Sequence, residues 1–316
     1  MAMAVVVPTE RTSRSLERFA WFAVGYNVLV VLWGALVRAT GSGAGCGNHW
    51  PLCNGQVVPV SPRVDTIIEF THRMMTSGSI FIVLALLIWV FRAFHKGQAA
   101  RAAAVASTIL LVNEAILGAL LVKLGYVTGN QSLGRVVMLS IHLGNTLLLI
   151  AALTLTAVFV GTHQWTRLMR FRSHWGLVLI GLLATMIVGV SGSLAALGDT
   201  LFPAASLRVA MEQDFASGSP LLLRLRGVHP LSVIVSTAFV FWMVVKGRRA
   251  GDGPLGNLVV GLLSAQIVVG VADVVLLAPT WIQIVHLFIA DLYWIALIVL
   301  AARLLWPLAD TRTPAR

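Results

Sequence analysis

Eight apolar runs dominate the 316-residue chain, at 19–37, 66–91, 102–123, 136–161, 174–197, 226–245, 255–277 and 281–304. A helix needs roughly 20 such residues to cross the hydrocarbon core of a bilayer, where only helices and closed barrels satisfy their own backbone. The strands of a membrane barrel would alternate apolar and polar residues, and these runs do not. The expected fold is therefore an all-α integral membrane protein with eight transmembrane helices. Charged residues make up 11% of the chain, against about 25% in ordinary soluble domains. So few cannot cover a soluble globule, which excludes a soluble enzyme, a disordered chain and a secreted disulfide scaffold.

The formal charge of +11 has to be located before it is interpreted. Basic residues come in threes: Arg11, Arg14 and Arg18 before the first run; Arg92, Lys96 and Arg101 between the second and third; Arg167, Arg170 and Arg172 between the fourth and fifth. Lys246, Arg248 and Arg249 follow the sixth, and Arg303, Arg312 and Arg316 close the chain. By the positive-inside rule these 15 of 23 basic residues mark the cytoplasmic side, with both termini on it. Only Glu10, Glu17, Asp252 and Asp310 oppose them there, leaving +11, and the remaining eight bases and eight acids cancel. The charge is thus a topological record that calls for a lipid bilayer and for no nucleic acid. No apolar stretch precedes the first run, so no cleaved signal is expected, and a bacterial inner membrane is the simplest location.

The two halves of the chain resemble each other. Asn113-Glu114-Ala115-Ile116-Leu117-Gly118 parallels Ala265-Gln266-Ile267-Val268-Val269-Gly270; Ile141-His142-Leu143 parallels Val285-His286-Leu287; and His72 parallels His229. Four runs separate each pair, so the repeat is parallel and implies two pseudo-symmetric four-helix bundles side by side. The expected division is a cytoplasmic segment at 1–18, a first bundle at 19–161 with an outer loop at 38–65, a cytoplasmic linker at 162–173, a second bundle at 174–304 and a tail at 305–316.

Four of the eight histidines, His49, His95, His163 and His174, fall in loops or at run ends, where water accounts for them. His72, His142, His229 and His286 each lie one to two turns inside the outer end of an even-numbered run, where a polar side chain is costly and is a functional candidate. Packing or a helix-helix hydrogen bond is the plain alternative. Zinc would require three or four ligands, and no thiol or carboxylate stands beside the second pair. A haem iron takes one axial ligand on each face of a flat apolar ring, which facing helices of a four-helix bundle can supply. Two haem sites, one per half, fit this pattern best.

The halves differ chemically. Glu69 stands three residues before His72, and Arg226 stands three before His229. A carboxylate beside one pocket and a cation beside the other suggest that one haem is worked upon while the other carries electrons. Arg73 and Arg226 are candidates for haem propionates, with snorkelling to headgroups as the alternative. Glu114, Asp273 and Asp291 are expected to face the bundle interior, and Asn113, Asn145 and Gln266 to bridge helices. The two cysteines, Cys46 and Cys53, lie in the Gly-rich first outer loop, where an oxidising compartment favours a disulfide.

Gly34-Ala35-Leu36-Val37 running into Thr40-Gly41-Ser42-Gly43, the loop from Cys46 to Cys53 with Trp50-Pro51-Leu52-Cys53, and Glu69-Phe70-Thr71-His72-Arg73 carry a resemblance to the haem A synthase family. His142, His229 and His286 complete it, so that it covers essentially the whole chain. The resemblance implies that Glu69, His72 and His142 form a site for the substrate haem O and that His229 and His286 ligate a cofactor haem b. It further implies oxidation of a ring methyl group to a formyl group by successive hydroxylations, giving haem A for terminal oxidases, with electrons leaving towards a membrane acceptor such as a quinone. Glu69 would be catalytic, as a proton acceptor or an electrostatic stabiliser. A haem O synthase is an implied partner, and a second copy of the chain is a further one. Some relatives carry a second cysteine pair in the third outer loop, and residues 197–226 have none. His229 is followed by Pro230 rather than by a counterpart of Arg73. Two other readings stay open: a bis-histidine di-haem electron-transfer protein linked to quinone, which shares all four histidines, and a haem transporter, which would place its site at the membrane midplane.

Overall fold

The computed structural model describes residues 10–162 and 175–306, with side chains from residue 14 onwards. Within them lie α1 (Glu10–Ala39), α2 (Val64–Ala93), α3 (Ala99–Lys123), α4 (Leu133–Gly161), α5 (Trp175–Leu201), α6 (Leu207–Phe215), α7 (Leu221–Arg226), α8 (Val228–Arg249), α9 (Gly253–Val275) and α10 (Thr280–Leu305), with a 3-10 turn at Ser42–Ala44. Among the described residues eight spans are long and apolar enough to cross a membrane, matching the eight runs, and α7 with α8 forms the sixth. The expected linker and tail lie almost wholly outside the described residues, as do Arg167, Arg170, Arg172, Arg312, Arg316, His163 and His174 and the side chain of Arg11.

Two expectations are refined. The sixth run is not one helix from residue 226, because α7 stops at Arg226 and α8 starts at Val228, with Gly227 between them. Pro230 therefore occupies the first turn of α8, where its missing N–H leaves no helical bond unmade. The long connection after α5 is not plain loop either. Ser206 caps α6 by accepting from the Val209 N–H, and Arg208 pairs with Glu212 one turn on at 2.8 Å. The last two spans are joined by a tight turn at residues 276–279, with Leu277 and Ala278 both at positive φ.

Helices α1, α2, α3 and α4 pack in a closed ring, each against the next and α4 against α1. Helices α5, α8, α9 and α10 form a second ring of the same order, and α4 touches both α5 and α10 across the seam. There Trp294 Nε1 donates to the Leu147 carbonyl at 2.8 Å. Apolar side chains plug each ring at the end that carries the basic residues: Leu16, Val90 and Val160 in the first, Met243, Val244 and Leu300 in the second. At the opposite end Val136, Leu194, Leu197 and Leu222 make a smaller apolar cluster between α4, α5 and α7. The outward faces are apolar, with Phe81, Ile109, Ile234 and Val268 between 63% and 74% exposed. Leaving a side chain of that size in water forgoes about 1.5–3 kcal/mol, so these faces require lipid around them.

Candidate functional site

Each of the four intramembrane histidines sits near the start of its helix and is partly buried: His72 on α2, His142 on α4, His229 on α8 and His286 on α10. Each ring rests against a glycine near the end of the preceding span. A Cβ placed on Gly34 would lie 3.1 Å from His72 Cε1, one on Gly192 2.9 Å from His229 Cε1, and one on Gly270 2.9 Å from His286 Cε1. The fourth contact, Gly118 with His142, is looser at 3.9 Å. The same glycine-histidine contact therefore recurs four times, twice in each ring. Nothing in the sequence alone ties these glycines to histidines 16 to 38 positions away, although Gly118 and Gly270 stand in the repeated motif.

The second pair lies close together. The His229 and His286 ring centres are 6.5 Å apart at an interplanar angle of 86°. Metal-imidazole bonds of about 2 Å on opposite faces of one iron put ring centres roughly 6 Å apart, so these two residues fit a haem. His229 Nδ1 lies 3.2 Å from the Val188 carbonyl and 3.3 Å from Ser191 Oγ, which fixes the ring and leaves Nε2 for a ligand. His286 Nε2 lies 3.0 Å from Gln266 Nε2, and its Nδ1 is buried without a partner. In the first pair His72 Nδ1 and His142 Nδ1 are likewise buried without a hydrogen bond. These three Nδ1 atoms therefore lack the fixing contact that His229 Nδ1 has, although Glu114 Oε1 approaches His142 Nδ1 to 3.5 Å. Among the described residues no three His, Cys, Asp or Glu side chains group to hold a bare metal ion.

The outer mouth of the first ring is closed by the cysteine loop. Cys46 and Cys53 form a disulfide, and Gly45 packs so closely on the start of α2 that a Cβ there would lie 2.5 Å from the Asp65 backbone. Thr66 Oγ1 donates to the Gly45 carbonyl at 2.8 Å. Glu69, 3% exposed, accepts from the Cys46 N–H through Oε2 at 2.8 Å and from Arg73 through Oε1 at 2.5 Å. Arg73 also donates through Nη1 to the carbonyls of His49 and Leu52, both at 2.7 Å. Glu69 and Arg73 thus fasten the loop to the helix that carries His72. Arg73 Nε donates to Glu69 Oε1 as well, at 3.2 Å, so four of the five guanidinium N–H groups are committed within the chain.

Arg226 does the matching work in the second ring. Its guanidinium lies 3.0 Å from Asp199 on α5 and 3.1 Å from Asp214 on α6, and it donates to the Phe202 carbonyl at 3.0 Å. At the register three residues before the first histidine of each ring, opposite charges hold opposite partners to the same end.

Arg38, just beyond the expected end of the first run, belongs to this region as well. It donates to the Ala196 carbonyl and Thr200 Oγ1 on α5 and to Gln283 Oε1 on α10, at 2.7 to 2.8 Å, which ties α1 to the second ring. Deeper in the first ring Asn113 bonds Asn145, and Asn145 and Thr146 both donate to Glu114, so these polar residues bridge α3 and α4. Asp273 Oδ1 and Asp291 Oδ2 are buried, as expected of residues facing the interior, but neither atom has a hydrogen-bond partner, unlike the carboxylate of Glu114.

Comparison with known proteins agrees with this arrangement. The family model described as "Cytochrome oxidase assembly protein" matches residues 17–298. A Thermus thermophilus protein named "Protoheme IX farnesyltransferase" is 45% identical over 292 residues, covering 90% of this chain and 48% of its own length. "Heme A synthase" of Alkalihalophilus pseudofirmus is 38% identical over 133 residues, 42% of this chain and 41% of the relative. "Heme A synthase" of Geobacillus kaustophilus is 38% identical over 147 residues, 46% of this chain and 44% of the relative. The chain spans about half the length of the curated relatives it matches. Eight membrane-length helices and a family match across most of the sequence place this multi-pass membrane protein in the cytochrome oxidase assembly family that includes the haem A synthases.

Proposed function

We propose that the chain is a haem A synthase. In this reading His72 and His142 hold haem O in the first ring, a ring methyl group is oxidised to a formyl group by successive hydroxylations, and the electrons leave through the second ring to a membrane acceptor such as a quinone. The observation that carries it is the duplicated histidine site with unlike charges at one register, Glu69 against Arg226. A pure electron carrier has no need of that difference. The haem b that His229 and His286 would hold supplies an electron-accepting iron when bound. Removing electrons or hydride from a methyl group builds positive charge there, which a fixed carboxylate stabilises or relieves by taking a proton. Glu69 is the buried acid three residues from His72, and the Cys46 N–H and Arg73 fix its position. Arg73 and Arg226 keep their proposed contact with haem propionates through whatever donor capacity their loop bonds leave.

In this reading the membrane is a bacterial inner membrane, the basic residues mark its cytoplasmic side with both termini on it, and the disulfide loop faces the oxidising compartment. A haem O synthase is the proposed partner. The name of the Thermus relative describes farnesylation of protohaem IX, and that protein is about twice the length of its match to this chain. A second reading, a di-haem electron-transfer protein, draws support from one observation: both oxygens of Glu69 are already engaged by the chain itself.

Haem-partition measurements on membranes supplied with haem O test the proposal. His72→Ala and His142→Ala should abolish haem A while the haem b spectrum remains. His229→Ala and His286→Ala should remove the haem b spectrum and leave haem O bound. Loss of both haems from a single change would overturn the two-site reading, and unaltered haem A in His72→Ala would overturn the substrate assignment.

A further inference from the structure

One more matched position separates the two rings. Glu114 on α3 and Gln266 on α9 occupy the same place in the repeated motif, four residues before the glycine that faces the next histidine. Glu114 Oε1 lies 3.5 Å from His142 Nδ1, and Gln266 Nε2 lies 3.0 Å from His286 Nε2. The carboxylate therefore faces His142 at Nδ1, the nitrogen remote from an iron held through Nε2, whereas the amide faces His286 at Nε2 itself and His286 Nδ1 has no acceptor behind it. The Glu114 carboxylate is held in place: Asn145 Nδ2 donates to Oε2 at 2.6 Å, Thr146 Oγ1 donates to Oε1 at 2.5 Å, and Asn113 steadies Asn145 at 2.8 Å. Oε1 retains a second lone pair, and His142 Nδ1 is buried with no hydrogen bond of its own.

A histidine that holds a metal ordinarily donates its other ring N–H to a carboxylate or carbonyl, which fixes the tautomer and makes the ring a stronger electron donor. We propose that Glu114 is a positioning residue of this kind: it accepts from His142 Nδ1–H, fixes that ring, and gives an iron held by His142 a lower reduction potential than one held by His286 against Gln266. The inference rests on the haem reading above and adds a direction to it. Electrons fall from the ring that carries Glu114 to the ring that carries Gln266, away from the substrate.

Redox titration followed optically tests this on the full-length, haem-loaded protein, with His229→Ala isolating the first ring and His72→Ala the second. Glu114→Gln should shift the first-ring midpoint upward with haem still bound, and Glu114→Asp should recover part of the shift. Gln266→Ala, which touches no group near His142, should leave the first-ring midpoint unmoved. Should Glu114→Gln fail to fold, Glu114→Asp decides alone, its shorter side chain predicting a smaller upward shift of the first-ring midpoint. Haem retained with unmoved midpoints in the Glu114 variants that fold would overturn the role of Glu114 and leave the haem reading intact. A protein whose haem spectrum is indifferent to His142→Ala would overturn both.

Discussion

The backbone N–H of Cys46 donates to Glu69 Oε2 at 2.8 Å, so the disulfide loop is bonded directly to the acid that stands three residues before His72. The other oxygen of Glu69 receives Arg73, which reaches on to the carbonyls of His49 and Leu52. Loop closure and the position of the acid are therefore a single structural unit, and disturbing one disturbs the other.

Removing one member of that unit should cost more than removing the pair. Arg73→Ala leaves a carboxylate whose side chain is 4% exposed without its cation, and breaking such a buried pair costs about 3–5 kcal/mol. Glu69→Gln combined with Arg73→Ala removes the stranded charge and should recover part of that loss. Thermal unfolding in detergent measures both. Equal melting temperatures for Arg73→Ala and the unaltered protein would show that the pair does not hold the loop.

The glycine contacts predict a graded series. Gly192→Ala and Gly270→Ala place a methyl group 2.9 Å from a histidine ring carbon, so the ring must move and the second-ring haem should be lost or its spectrum altered. Gly34→Ala, at 3.1 Å, should perturb the first ring less severely. Gly118→Ala, at 3.9 Å, makes an ordinary contact and should be tolerated. Optical spectra of the four purified variants give the order, and a uniform response would sever the link between these glycines and haem binding.

Arg226→Ala should loosen the outer end of the second ring alone. It strands Asp199 and Asp214 and frees the Phe202 carbonyl, and each unsatisfied group costs about 1–3 kcal/mol. Limited proteolysis should then cut within 202–226 faster while the cysteine loop keeps its resistance. Faster cutting in the cysteine loop instead would mean that the two ends are not fastened separately.

Much of this was legible in the sequence because bilayer thickness and backbone satisfaction leave a chain with eight long apolar runs few alternatives. The histidine pairs were legible for the same reason, since a polar ring within such a run stands out. The break at Gly227 was not, because apolar residues continue through it, and α6 was masked by its mixed polar composition. The role of Arg38 was not legible either, because an arginine at the end of an apolar run does not reveal the three bonds by which it joins the halves. The commitments of Glu69 and Arg73 to the cysteine loop depend on how the loop folds back over α2, which the spacing of these residues does not fix.

Haem extraction tests the central claim most directly. Membranes containing this chain and supplied with haem O should yield haem A, and Glu69→Gln should lower that yield roughly a hundredfold or more with both haems still bound. Haem O recovered unchanged from the unaltered protein with haem b in place, or undiminished haem A from Glu69→Gln, would contradict the account.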